Sequence, residues 1–317
     1  MSNKSFLDKV EQIPVPILPT MVGALTLSTV YNNMEYSWVR HITSWVAIFI
    51  WILYLIKIIT RFDTVKKEYS NTVPASLYAG FTMIMMIIGG YFYNASPILG
   101  KSLWFVGLIL HAIHILIFTY RNVIKGIKME TFVPSWFVTY NGIMVSTVVG
   151  GVMNEPLICK IVVYYGIIVL TLIMPFMIYR LIKHEIKDPV FHTQAIVLAP
   201  SSLCLVSYLN FIKNPNAIMV YYLYALVLGA LIFIIIRLPK FFSFAFYPGY
   251  AGLTFPMAIG IVASTKMTAY LTNGGYEKLG MIVKQISGIQ LYLTTAIIGM
   301  VLFNFYKLLK NIFTSNN

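Results

Sequence analysis

The sequence predicts an all-α integral membrane protein: ten transmembrane helices arranged as five helical hairpins. Three observations carry this expectation. The composition is 59% hydrophobic and 10% charged, with a mean hydropathy of +0.79; a soluble chain of 317 residues could not keep so apolar a surface in water. Apolar runs recur at lengths near the ~20 residues a helix needs to cross hydrocarbon, and the ~10-residue alternating segments of a β-barrel are missing. Finally, Pro16, Pro74, Pro134, Pro189 and Pro248 are separated by 58, 60, 55 and 59 residues. Each stands just ahead of an apolar run, where a missing backbone donor costs a helix nothing. Three of the five units open with Val-Pro (Val15-Pro16, Val73-Pro74, Val133-Pro134), so the chain reads as five copies of one two-helix unit.

The N-terminal stretch MSNKSFLDKVEQ is polar and lacks the apolar core of a signal peptide, so the first span is expected to direct insertion. Spans are expected at about 17–31, 39–60, 75–93, 99–120, 134–152, 157–180, 193–210, 216–236, 249–265 and 280–306. The repeats then cover about 13–60, 74–120, 134–182, 189–236 and 248–310 of a single domain, 1–317. An even number of spans places both termini on one side. Of the 23 Lys and Arg residues, seven fall on the side away from the termini (Arg40, Lys101, Lys160, Lys213, Lys266, Lys278, Lys284) and 16, Lys4 and Lys57 among them, on the terminal side. By the positive-inside rule both termini are cytoplasmic. The net charge of +13 is thereby explained as topology, and no nucleic-acid partner is implied.

Alternate spans differ in character. The odd ones are rich in small and hydroxylic residues: Thr20 and Gly23 in the first, Ser76 and Gly80 in the third, Ser135 and Thr139 in the fifth, Ser201 in the seventh. The even ones are bulky and aliphatic, as in WVAIFIWILYLIKII (Trp45–Ile59). Small residues let backbones approach, and hydroxyls satisfy freed carbonyls or face water. The odd helices are therefore expected inside, in a pseudo-fivefold ring, with the even helices against lipid.

The ninth span, YPGYAGLTFPMAIGIVASTK (Tyr247–Lys266), sets Phe255 directly before Pro256. A proline inside a helix frees the carbonyl four residues back, here that of Gly252, and Gly260 follows one turn on. Gly252, Phe255, Ile259 and Val262 share a helix face. Two readings are open: a phenyl plug at a break hinged on Gly252, Pro256 and Gly260, or an ordinary kinked helix with Phe255 packed among its neighbours.

Catalytic chemistry is sparse. The odd spans contain no Asp, Glu, Lys, Arg or His. His111 and His114 share one face of the fourth span; a proton relay or a metal pair is weighed there against two neutral imidazoles bonded between helices, which an outer span favours. Cys159 and Cys204 read as small core residues. No HExxH, Ser-His-Asp set or phosphate-cradling glycine loop occurs, so neither an enzyme, a metal nor a cofactor is expected.

The pattern of ten spans, five hairpins and a TFP motif in the ninth resembles the tellurite-resistance/dicarboxylate transporter family, which includes bacterial tellurite-resistance protein A, fungal malate permeases and plant slow-type anion channels. The likeness is sharpest in YAGLTFPMAIGIVAST (Tyr250–Thr265), IVLAPSSLCLVSYL (Ile196–Leu209) and VPSWFVTYNGIMVST (Val133–Thr147). It implies a homotrimer whose protomers each hold a central pore lined by the inner helices and blocked by an aromatic at the position of Phe255. It further implies an anion channel or channel-like transporter for small inorganic or organic anions in a prokaryotic plasma membrane. The alternative is a proton-coupled transporter of four-carbon dicarboxylates such as malate, or of tellurite-type oxyanions.

Overall fold

The computed structural model describes residues 5–314; Lys4, one of the charges assigned to the terminal side, lies outside them. Among the described residues the chain is entirely helical, without strands. A short helix α1 (Phe6–Glu11), started by a Ser5–Asp8 capping box, precedes the first unit. That unit is α2 (Ile17–Asn32) and α3 (Ser37–Thr60). A surface helix α4 (Phe62–Ser70) leads to α5 (Thr72–Leu77), α6 (Ala79–Phe92) and α7 (Pro97–Thr119). The third unit is fragmented: α8 (Trp136–Tyr140) and α9 (Val145–Val148), joined and followed by 3₁₀ turns, precede the continuous α10 (Pro156–Lys183). A 3₁₀ stretch, Asp188–Val197, runs into α11 (Leu198–Phe211), which is followed by α12 (Ala217–Phe241). A 3₁₀ turn, Pro248–Leu253, starts the last unit of α13 (Thr254–Asn273) and α14 (Glu277–Thr314).

Burial separates two layers. Seven helical segments among those described are long and apolar enough to cross a membrane, which makes this a multi-pass membrane protein. In two of them, 72–92 and 188–211, 78% and 94% of the most apolar window is buried; in α3, α7, α10, α12 and α14 only 33–39% is. The exposed face of α3 carries Trp38, Ile42, Trp45, Phe49 and Ile52, side chains that lipid solvates as well as protein does. The expected first, fifth and ninth spans are not among the seven. Helix α2 has only 16 residues, and 134–152 is broken into short pieces. The buried segments pack on one another, α2 against α6 and α13, α9 against α6 and α11, and α11 against α13, and each unit's buried part also packs on the exposed helix that follows it.

Three of the exposed helices, α7, α10 and α12, have conventional starts. Ser96 and Asn216 accept the amides of Leu99 and Met219, and Pro97 and Pro156 occupy the first helical positions. A backbone signature of the repeat also appears. Glu35, Asn154 and Gly275 take positive φ (72°, 54° and 81°), each two residues before α3, α10 or α14. The turn into these three helices therefore reverses the chain in one way, and Glu35 and Asn154 adopt a left-handed conformation that only glycine takes freely.

Candidate functional site

Where the odd segments begin, a cavity of about 410 Å³ opens, far above the ~10–15 Å³ that holds one water. Four of the five unit-starting prolines, Pro16, Pro74, Pro189 and Pro248, line it; the third unit contributes Phe137, Val138 and Gly142 instead. Deeper lining comes from Met83, Leu203, Gly252, Phe255 and Pro256. The walls are apolar apart from Glu68, Thr193 and Tyr247. Burial pushes the Tyr247 phenol up to about 12, so it is neutral at physiological pH, and Glu68 is the one charged side chain in the wall among the described residues.

Phe255 is 6% exposed. The chain ahead of it is extended at Tyr247, tightens into the 3₁₀ turn Pro248–Leu253, and becomes α-helical at Thr254. Pro256 thus stands at the third position of α13, in its first turn and not in a helix interior. Its missing donor is one the first turn leaves free anyway, and the break expected at the proline lies in the turn before it. Gly252 sits in that turn because a Cβ there would meet the His192 carbonyl oxygen at 2.4 Å. Gly260 has no open space beside it; a Cβ would press Gln290 Nε2 and Leu198 Cδ2 at 3.1 Å.

The other sequence candidates divide by what they touch, and none of them lines the cavity. Gly23 brings α2 against the backbone at the start of α13, where an added Cβ would lie 2.6 Å from Phe255 N and 2.7 Å from Thr254 C. Gly80 does the same for α6 against Leu18 and Pro19. The hydroxyls of Thr20, Ser76 and Ser201 donate to carbonyls three or four residues back, those of Pro16, Val73 and Leu198, and so serve backbone that tight turns leave underbonded. Ser135 Oγ is buried without a hydrogen-bond partner. Ile259 is fully buried and Val262 half-buried.

Thr139 belongs to the histidines. Its carbonyl lies 2.9 Å from His111 Nε2 and its hydroxyl 3.1 Å from His114 Nε2. The Nδ1 atoms reach Thr82 Oγ1 at 2.7 Å and Tyr69 Oη at 2.6 Å. All four ring nitrogens are thus spent on joining α7 to α4, α6 and α8. Cys159 and Cys204 are buried and unpaired.

Three buried ionisable groups were not singled out from the sequence. His192, one residue ahead of the expected seventh span, is fully buried in the 3₁₀ stretch and contacts Tyr247 Oη at 2.7 Å and the Phe241 carbonyl at 3.1 Å. Arg180, 4% exposed, donates to the carbonyls of Met129, His184 and Glu185 at the end of α10. Lys57 is fully buried, and its ammonium donates to the Ile13 carbonyl and to Glu68 Oε1, both at 2.8 Å. Its place inside the apolar run Trp45–Ile59 was the available signal, since a lysine there needs a partner or a path to water.

The model of the voltage-dependent anion channel family matches residues 15–309, from Val15 in the cavity wall to the last turns of α14. No curated protein matches the chain. A match over nearly the whole length, on an all-helical multi-pass chain, means that the protein belongs to the voltage-dependent anion channel family, a family of channels and not of enzymes.

Proposed function

We propose that this protein passes small anions through a central pore closed by Phe255. The cavity is the observation that carries this reading. It gathers the beginnings of the odd segments around one space, and Phe255 with Pro256 stands in its wall. In this reading ten spans form five hairpins, with boundaries near 13–60, 74–120, 134–182, 189–236 and 248–310. Three of the ten are too short, too broken or too weakly apolar to be evident by length and composition. The circuit of packing from α2 through α6, α9, α11 and α13 back to α2 supports a pseudo-fivefold inner ring.

Anion preference follows from the same arrangement. Helix N-termini carry partial positive charge, and several inner segments begin at the cavity. Exposed Lys266 on α13 concentrates anions at the opposite mouth. The charge distribution supports cytoplasmic termini, with the cavity on the cytoplasmic side. The family resemblance supports a homotrimer in a prokaryotic plasma membrane.

Glu68 favours a second reading, proton-coupled transport of dicarboxylates or oxyanions, because it sets a titratable group in the wall. Against that reading, His111 and His114 are committed to helix contacts and neither lines the cavity. Recording from purified protein in planar bilayers separates the two. A channel gives anion currents that persist at equal pH on both sides; transport that collapses when the pH gradient is removed refutes it.

A further inference from the structure

Glu68 is the one charged side chain in the cavity wall, and its sign is wrong for an anion path. A bare carboxylate there would repel the ions the path serves. The carboxylate is not bare. Oε1 receives the Lys57 ammonium at 2.8 Å, and Oε2 receives the Tyr78 hydroxyl. Lys57 is wholly enclosed while the Glu68 side chain is 26% exposed, so the pair has an inner positive end and an outer negative end. The lysine is also pinned to the wall. It donates to the carbonyl of Ile13, which the Tyr54 hydroxyl shares at 3.0 Å, and the next residue, Pro14, lines the cavity. Of the nearby cations, Arg61 is engaged by Asp8 and Glu11, Arg121 by the carbonyls of Tyr69 and Ser70, and Lys66 and Lys67 are exposed, while Lys57 is the one paired with Glu68. Compensation of Glu68 therefore falls to Lys57.

We infer that Lys57 is an anion-binding ammonium behind the cavity wall whose site is filled by the tethered carboxylate of Glu68, so that the pair sets how strongly the cavity prefers anions over cations. The inference rests on reading the cavity as part of the anion path. Charge is what matters in it. Removing the carboxylate uncovers a cation, removing the ammonium uncovers an anion, and removing both restores neutrality. A unit charge ~7 Å from a permeating ion in a water-like medium changes its occupancy about threefold.

The test measures reversal potentials in a potassium chloride gradient for Glu68→Gln, Lys57→Met and the double variant, in both wild-type and Phe255→Ala backgrounds. Reversal potential does not depend on how many channels fold, so lost expression leaves it readable. Because the same charge acts in opposite senses on the two ions, the chloride-to-potassium permeability ratio is expected to rise about sevenfold in Glu68→Gln and to fall about sevenfold in Lys57→Met. In the double variant it returns toward wild type. Lys57→Met leaves an unpaired carboxylate and is the variant at risk of misfolding; if it does, the shift in Glu68→Gln and its reversal in the double variant still decide the question. An unchanged ratio in Glu68→Gln, or a double variant that keeps the full Glu68→Gln shift, overturns the inference and leaves the pair a structural brace. Failure of the gate reading has a separate signature: Phe255→Ala conducts no more than wild type, whatever the reversal potentials show.

Discussion

Replacing Phe255 with alanine removes the largest side chain from the deep part of the cavity wall. The ring is 6% exposed and borders a space of about 410 Å³, so it has fewer packing partners than a phenylalanine enclosed on all sides. The stability cost is expected near 3 kcal/mol, the lower end of the ~3–5 kcal/mol range for such truncations. The effect on conduction should be larger in consequence. A narrow apolar segment sheds water and stops a hydrated anion without touching it; losing the ring widens and wets it. A gain of tenfold or more in anion conductance corresponds to lowering the barrier by at least ~1.4 kcal/mol. Phe255→Leu, still apolar but smaller, opens the path only in part. Single-channel recording together with a thermal unfolding curve measures both quantities on one preparation. A Phe255→Ala protein that is destabilised and conducts at or below the wild-type level refutes the gate.

Gly23→Ala forces a Cβ to within 2.6–2.7 Å of the Thr254–Phe255 backbone; it should cost about 1–3 kcal/mol and shift the conductance set by Phe255. Gly288→Ala, with nothing within 4 Å, should cost no stability and leave currents unchanged, and paired melting and current measurements compare the two. Replacing His111 and His114 together with glutamine should leave anion flux and its pH dependence intact while lowering thermal stability, since their four bonds tie helices and do not face the cavity. Flux lost from a folded, inserted double variant would return these histidines to the transport path. Single cysteines at exposed Ser70 and Asn273 should label from opposite sides of the membrane, Ser70 from the cytoplasm; labelling of Ser70 from outside intact cells overturns the assigned topology.

The two-layer burial was legible because lipid and protein interior demand different side chains: Trp45 and Phe49 face outward while Thr20 and Ser76 are enclosed. That same choice keeps the expected first, fifth and ninth spans out of the seven segments long and apolar enough to cross a membrane. Inner segments built from glycine, serine and threonine lose hydropathy, and the breaks in 134–152 leave no trace in periodicity. The motif singled out Phe255, which stands in the cavity wall, but the location of the break was not legible, because a proline looks alike in the interior of a helix and in its first turn. Lys57 was counted with the cytoplasmic charges because a lysine near a helix end ordinarily reaches water. Its actual partner, Glu68, lies eleven residues on, across the turn into α4, and only the fold brings the two together.

The fragmented third unit bears on how the chain is assembled during synthesis. The carbonyls of Thr139 and Ser146 are taken by His111 Nε2 and by the Trp104 indole at 2.9 Å, both from α7. From the segment itself Asn141 Nδ2 reaches forward to the Gly166 carbonyl on α10 at 3.1 Å. A stretch with this many interrupted turns has little reason to leave the insertion machinery for lipid on its own, since each loose backbone group costs several kcal/mol there. Its release depends on α7 already standing in the bilayer, which the order of translation guarantees, and it is completed only when α10 arrives. In the ten-span reading, the lateral partitioning of residues 134–152 is therefore expected to be a cooperative event of biogenesis, timed by its neighbours and not by its own hydropathy.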